Sequence, residues 1–233
     1  QKETDNKTSV SNGKLKNDFG NTYYLTNNKT KANKLNNILV SEVLQSQTKT
    51  IIPPAIIPYT IGFVQLASLA KFGSIDTLNI CEYTDEWFGM FIYSLTTKTI
   101  QDSFFADKYG TTENKRANLS KDFRNFIRDV ILNLKEDKLE KLIKAETFQD
   151  EISTMFFDTY KEYKKVEQEY KYSKNKFIHS LSAYKYLYGA VIGKQEIKPV
   201  NKVIIVENFD MLEPIFQEIL ENINQLTMYC SKI

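Results

Sequence analysis

The sequence predicts an α+β protein in which a small antiparallel β-meander is followed by a mainly helical domain with one long amphipathic helix. Two observations support this prediction. Between residues 61 and 105, apolar runs rich in aromatic and branched residues alternate with short polar stretches, as in antiparallel strands. Beyond residue 118, apolar residues recur at three- and four-residue steps, which indicates helices facing a core.

The first 34 residues are predicted to form a disordered polar arm. They are rich in Asn, Lys and Thr and show no hydrophobic period. The next region, 35–110, begins with a short helix over 35–45, whose apolar residues fall near one face. Turn-forming and polar residues at 106–117 then indicate a linker to the helical domain, 118–233.

The segment 51–70 carries no charged residue over a length that would span a bilayer. Pro53, Pro54 and Pro58 crowd its first half, and each proline removes a backbone donor and disfavours helix in the residue before it. We therefore expect no transmembrane helix, and an extended proline-rich stretch that leads into a buried strand.

The meander is predicted from four apolar runs joined by short turns. The third run could equally form one buried face of a helix, because periodicity alone does not separate the two for a short apolar segment. The runs are 61–70, 76–83, 87–95 and 98–105.

The helical domain is predicted to begin with a helix that Ser120 caps and that packs through Phe123, Ile127 and their neighbours. A very long helix then starts near Thr147. Its apolar residues form a heptad typical of a coiled coil, which ends near Gly189. The heptad positions are Phe156, Tyr163, Tyr170, Phe177, Tyr184 and Val191, with Tyr160, Glu167, Lys174, Leu181 and Tyr188 between them.

Two further elements complete the domain. A short apolar run at 202–206 predicts a buried strand that returns to pair with the meander. The last helix is predicted to start between Asp210 and Pro214, because proline suits a first helical turn.

Charge and composition limit the classes of partner. The chain is lysine-rich, yet its 31 basic and 29 acidic residues leave a net charge of only +2, so no global field draws it to nucleic acid or membranes. The arginines are Arg116, Arg124 and Arg128. Lysine lacks the planar guanidinium fork, so we expect the chain to have few groups that bind phosphate through two parallel hydrogen bonds.

An exported protein is favoured over an intracellular one. Gln1 is interpreted as the first residue after a removed signal peptide, and glycosylation triplets start at Asn6, Asn28 and Asn118. The chain is then secreted or periplasmic; if Gln1 is not a mature N-terminus, it is cytoplasmic. Cys81 and Cys230 are either one disulfide or two buried thiols.

Catalytic motifs are absent from the sequence, which favours a protein that is not an enzyme. The single histidine, His179, excludes the usual histidine-based metal sites and is interpreted as a partly buried residue inside the long helix. Glycine-rich phosphate loops and nucleophile-elbow motifs are missing as well. We expect no metal site and no cofactor.

The densest local pattern lies at 159–188, where seven tyrosines and seven lysines accompany three acidic residues. The first hypothesis is an exported or cell-surface binding or structural module that meets a protein partner, or a second copy, through its long helix and sheet. The second is an intracellular protein that binds single-stranded nucleic acid through this stretch, by stacking and phosphate neutralisation. The predicted binding residues are Lys171, Tyr172, Lys174 and Tyr186.

Overall fold

A computed structural model of the chain describes residues 21–45, 54–75, 90, 93–94, 113–145, 151–171, 177, 179–193, 197–198, 200, 202–223 and 229–232.

A small parallel sheet forms one layer of the described chain, and its four strands run in the order β2-β1-β3-β4. The central strand, β1, pairs in parallel with both neighbours: Tyr23 lies opposite Ala55 on one side and opposite Ile204 on the other. The strands are β1 Thr22–Thr26, β2 Ala55–Pro58, β3 Val203–Val206 and β4 Tyr229–Lys232.

Apart from the helical residues 90, 93 and 94, seven α-helices have their bounds within the described residues. They are α1 Lys29–Gln45, α2 Tyr59–Phe72, α3 Glu113–Leu132, α4 Glu136–Lys144, α5 Glu151–Lys171, α6 Ser180–Ile192 and α7 Pro214–Asn222. A short 3-10 turn, Phe209–Met211, precedes α7. Both β3 and α7 lie where the sequence predicted a strand and the last helix, and Pro214 occupies the first turn of α7.

The predicted antiparallel meander is wrong, because the sheet is parallel and its strands come from distant parts of the chain. The first predicted strand, 61–70, is instead part of α2. That helix buries Phe63, Leu66 and Ala70 together with small residues around it, so its sequence reads as an unbroken apolar run. The other three predicted strands fall almost wholly outside the described residues, and the described residues of the third run, 90, 93 and 94, are helical.

The single long helix is also wrong, since α5 and α6 are separate helices. Residue 179 has the extended backbone angles φ −160° and ψ 170°, and α6 begins just after it. The sequence did not show this break, because both helices contribute buried rings that keep the seven-residue spacing, Tyr163 in α5 and Tyr184 in α6. The predicted coiled-coil stripe is thus largely interior surface of this chain.

Two other predicted boundaries are also wrong, because a strand and helices begin earlier in the chain than the sequence indicated. The predicted arm extends to residue 34, yet Thr22–Thr26 is the central strand and α1 begins at Lys29. The predicted linker reaches residue 117, whereas α3 begins at Glu113. Ser120 is therefore a buried residue inside α3 and does not cap it.

One hydrophobic cluster joins the sheet to the helices, from Leu25 in β1 through Phe63 and Phe123 to Phe216 in α7. Helix α6 lies within it and contacts α2, α3 and α7. None of the helices in the described part of the chain combines the length and the apolar character that a bilayer crossing requires.

Candidate functional site

A cavity of about 200 Å³ opens where α3 meets the first turns of three other helices. Two arginines of α3, Arg124 and Arg128, line it, and opposite them lie Thr60 of α2, Ser180 of α6 and Phe216 of α7. We call this cavity the arginine pocket.

The two arginines reach the same cavity because they lie four residues apart on one helix, a spacing that places side chains on one face. The opposite face of α3 is fixed in the core by Phe123 and Ile127, which are fully buried. No carboxylate among the described residues lies within ion-pair distance of either guanidinium. Their positive charge is therefore available to a ligand.

The backbone around the pocket is positive as well. Thr60 is the second residue of α2, Ser180 the first of α6 and Phe216 the third of α7. The first-turn N–H groups of a helix lack partners within the helix and form the positive end of its dipole. None of these three first turns contains an acidic residue. At α7, however, the N–H of Phe216 already donates to the carbonyl oxygen of Glu213, and the carboxylate of Glu213 stands just before that helix without capping it.

The floor of the pocket is apolar and held in place. Leu181 and Tyr184 of α6 are buried beneath it together with Leu132 of α3. The hydroxyl of Tyr184 donates a hydrogen bond to the carbonyl oxygen of Thr60 over 2.9 Å, which ties α6 to the start of α2.

The nearest acidic group to the start of α7 is already engaged. Glu213 accepts hydrogen bonds from the hydroxyl of Tyr59 at 3.1 and 3.3 Å. Burial, together with this carboxylate, raises the pKa of Tyr59 to about 12, while Arg128 acts in the opposite direction. The phenol therefore stays a neutral donor and keeps the carboxylate occupied.

His179 caps the start of α6 beside the arginine pocket. Its Nδ1 accepts a hydrogen bond from the backbone N–H of Ser182 at 3.1 Å, and the Ser182 hydroxyl closes a reciprocal capping box. Because Nδ1 is an acceptor here, the ring is neutral and its proton is on Nε2. Burial, with a smaller contribution from Lys185, lowers the pKa of His179 to about 3, which agrees with this state.

The Nε2 proton starts a chain of hydrogen bonds that leads from the buried ring to partly exposed charged groups. It points to the hydroxyl of Tyr163 at 3.2 Å, and that hydroxyl donates to Glu167 Oε1 at 3.1 Å. The other oxygen of Glu167 accepts from Lys185 at 2.7 Å. Burial, reinforced by Glu167, raises the pKa of Tyr163 well above its usual value, so the phenol remains protonated.

A second carboxylate completes this group, which we call the buried polar cluster: Glu136, Tyr163, Lys164, Glu167 and Lys185. Glu136 Oε1 lies 2.9 Å from the Nζ of Lys185 and 3.3 Å from that of Lys164. It also accepts a hydrogen bond from the hydroxyl of Tyr160 at 3.0 Å. The cluster thus joins α4, α5 and α6 with two carboxylates and two ammonium groups, and Glu140 of α4 adds a third, more exposed carboxylate 3.7 Å from the Nζ of Lys164.

Burial and charge pairing compete within the cluster. Burial alone raises the pKa of Glu136, but Lys185 and Lys164 outweigh it, so the pKa lies below its ordinary value. Burial lowers the pKa of Lys185, while Glu167 and Glu136 raise it, with a net increase. Both groups therefore remain charged and paired at neutral pH.

The two sites allow different chemistry. The arginine pocket offers guanidinium groups and helix starts to an anion, and the imidazole of His179 is turned away from it towards Tyr163. The charges of the buried polar cluster are paired within it, and its four charged side chains are 14–26% exposed. Within the described ranges, no three His, Cys, Asp or Glu side chains are grouped as metal ligands.

The residues predicted to bind from sequence do not line the arginine pocket within the described chain. Tyr186 is half-buried in α6, where its ring lies 5.6 Å from that of Phe177 and the ammonium of Lys71 lies 5.5 Å from its centroid. Lys171 ends α5, with its side chain outside the described residues, as are Tyr172 and Lys174. Their role in binding stays a prediction.

Sequence reasoning missed the arginine pocket although one signal was present. Arginine is rare in this lysine-rich chain, and Arg124 and Arg128 stand at helical spacing in the most clearly periodic segment. The helix starts opposite them could not be read from the sequence, because Thr60 was placed before a strand and Ser180 inside a long helix.

Comparison with known proteins gives no relative on which to base a function: no protein-family model matches the chain, and no curated protein or solved structure matches it.

Proposed function

We propose that this chain is a binding protein that recognises the phosphate monoester group of a larger ligand in the arginine pocket. One observation carries the proposal: two guanidinium groups without a carboxylate partner among the described residues face a cavity that the first turns of three helices also line. Arginine forks and helix N-termini are the two devices that proteins most often use to bind phosphate.

The charge and geometry of the pocket favour phosphate over carboxylate. A single arginine satisfies a carboxylate with two parallel hydrogen bonds. Here Arg124 and Arg128 approach from one side and Ser180 and Thr60 from others, which suits a tetrahedral dianion with three terminal oxygens.

The size of the cavity favours one group at the end of a larger molecule. About 200 Å³ is smaller than the roughly 300–1,000 Å³ of typical pockets that enclose a whole small ligand. The remainder of the ligand would lie across the surface, as a modified side chain of a protein partner does. The proposal keeps the earlier expectation of a binding module, with a pocket as its contact surface in place of the coiled-coil stripe.

The test is the affinity of the full chain for inorganic phosphate and for phosphoserine, measured by titration calorimetry. Removal of one charge-assisted contact by Arg124→Gln or Arg128→Gln should weaken binding by about tenfold or more. Lys138→Gln on α4 removes the same charge from an exposed position and should leave the affinity unchanged.

Three results would contradict the proposal. They are equal binding of acetate and phosphate, wild-type affinity in both arginine variants, and an equal loss in Lys138→Gln. A phosphoserine peptide and a 5′-phosphorylated oligonucleotide then separate a protein partner from nucleic acid, which was the alternative hypothesis. Steep salt dependence only for the oligonucleotide would favour nucleic acid.

A further inference from the structure

The residue that caps α6 is of an unusual type. Ser, Thr, Asp and Asn are the preferred residues at the position before a helix, because their short side chains accept a hydrogen bond from the first turn. Here that position is His179, which is buried and accepts from the backbone N–H of Ser182 through Nδ1. An imidazole that accepts at Nδ1 carries no charge.

A neutral cap has a consequence for the arginine pocket next to it. The following residue, Ser180, lines the pocket. An aspartate cap would place a negative charge at this helix start, where it would oppose the positive end of the dipole and repel an anionic ligand. The imidazole satisfies the N–H group and leaves the positive end of α6 uncompensated.

The second ring nitrogen gives His179 a function that Ser or Asn does not have. Through Nε2 it contacts the hydroxyl of Tyr163, which is anchored in turn on Glu167. The start of α6 is thereby fixed to the middle of α5. The negative charge that ends this chain is Glu167, which Lys185 pairs.

We propose that His179 is a positioning residue of the arginine pocket, which fixes the start of α6 through Tyr163 and keeps negative charge away from the bound phosphate group. This inference rests on the proposed function. It assigns His179 a role in ligand affinity in addition to its role in stability.

The first test compares His179→Asn with His179→Asp by calorimetric titration of inorganic phosphate. Both replacements are good helix caps of nearly equal size, so they differ chiefly in charge. Neither replacement has a second ring nitrogen to contact Tyr163, so we expect the Asn variant to bind about threefold more weakly than the wild type and the Asp variant to bind about five- to tenfold more weakly than the Asn variant. Urea unfolding of both proteins shows whether affinity follows stability.

The second test uses Tyr163→Phe, which keeps the neutral imidazole cap and removes the hydroxyl that orients it. Phosphate affinity should fall by about threefold or more, with the arginines intact. If His179→Asp does not fold, the phosphate affinity of Tyr163→Phe decides whether His179 has this positioning role.

The outcomes separate the two proposals. A wild-type chain that does not bind phosphate overturns the proposed function, and this inference with it. If the wild type binds but Asn and Asp variants bind equally, or Tyr163→Phe binds as the wild type does, the pocket stands and the role of His179 is rejected.

Discussion

The arginine pocket and the buried polar cluster are both built on the start of α6, yet their electrostatics are opposite. In the cluster, Lys164 and Lys185 face Glu136 and Glu167 at hydrogen-bonding or ion-pair distances. In the pocket, Arg124 and Arg128 face helix starts, and the one carboxylate beside those starts, Glu213, is hydrogen-bonded to Tyr59. The charges of the cluster are paired with one another, whereas the two arginines form no ion pair with a described carboxylate.

This difference indicates which polar group is structural and which is a candidate for binding. Buried charges are tolerated when each has a partner and its hydrogen bonds are made, as in the cluster. In the pocket, Arg128 is exposed and Arg124 is partly buried, so water solvates the unpaired guanidinium groups until an anion displaces it. A cluster whose charges pair within the chain is therefore interpreted as structural. A pocket whose arginines form no ion pair with a described carboxylate is interpreted as a candidate ligand site.

The largest effect is expected from removing the central cation of the cluster. Lys185→Met leaves Glu136 and Glu167 without their closest positive partner in a site where the lysine side chain is only 22% exposed. Breaking a fully buried pair on one side costs about 3–5 kcal/mol. Because Lys164 stays near both carboxylates and the site is partly exposed, the free energy of unfolding in urea should fall by about 2–3 kcal/mol.

Lys165→Met is the matched control for that change. Lys165 pairs with Glu162, but both side chains are more than half exposed, so water replaces the contact. The expected change in the free energy of unfolding is below about 0.5 kcal/mol. Equal losses in the two variants would show that the cluster is not structural.

A smaller effect is expected from acid, through His179. Its pKa is about 3 in the folded protein and about 6.5 when exposed. The unfolded chain therefore binds the proton more readily, so stability that is complete above about pH 6.5 is lost as pH falls towards 3. Between pH 7 and 5, this residue should account for about 2 kcal/mol of lost stability.

His179→Asn isolates that contribution, because an amide does not titrate. Urea unfolding at pH 7 and pH 5 should show a smaller acid loss for the variant than for the wild type by about 2 kcal/mol. Glu136 has a lowered pKa and also loses stability in acid, but it is present in both proteins. Identical pH dependence would mean that His179 is not held neutral.

The smallest effect is expected at Gly189, within α6 but outside both sites. A methyl group added there meets no atom within 4 Å, so Gly189→Ala should stabilise the protein by about 0.5–1 kcal/mol and leave phosphate affinity unchanged.

Gly62 in α2 is the opposite case. A methyl group there would overlap the buried side chain of Leu25, so Gly62→Ala should destabilise the protein by about 1–3 kcal/mol.

The sequence pattern predicted helices that have a solvent-exposed polar face. It did not predict the helix and strands that are buried on most sides. The period of Phe123 and Ile127 indicated α3 because its other face is solvated. In contrast, α2 is apolar on most sides, so no period separated it from a strand. The parallel sheet joins Tyr23, Ala55 and Ile204, whose pairing depends on long-range contacts that local pattern does not contain.

The candidate site was less predictable than the fold for a related reason. The arginines of the pocket were visible as rare residues, but their importance depends on helix starts at Thr60 and Ser180 that come from other parts of the chain. His179 was expected inside a helix. Its role as a cap arises from a break that the continuous heptad of aromatic residues concealed.

The central claim, that the arginine pocket binds a phosphate group, is tested most directly by the side-chain Nε–H signals of arginine in an NMR titration with inorganic phosphate. The chain has three arginines, so three such signals are expected. Arg116 serves as an internal reference, because its position in α3 lies eight residues before that of Arg124, about 12 Å along the helix axis.

We predict saturable shifts of the Arg124 and Arg128 signals, with a much smaller change at Arg116, and no such shifts with acetate at equal ionic strength. Three signals that move together in proportion to salt, or that do not move, would contradict the account.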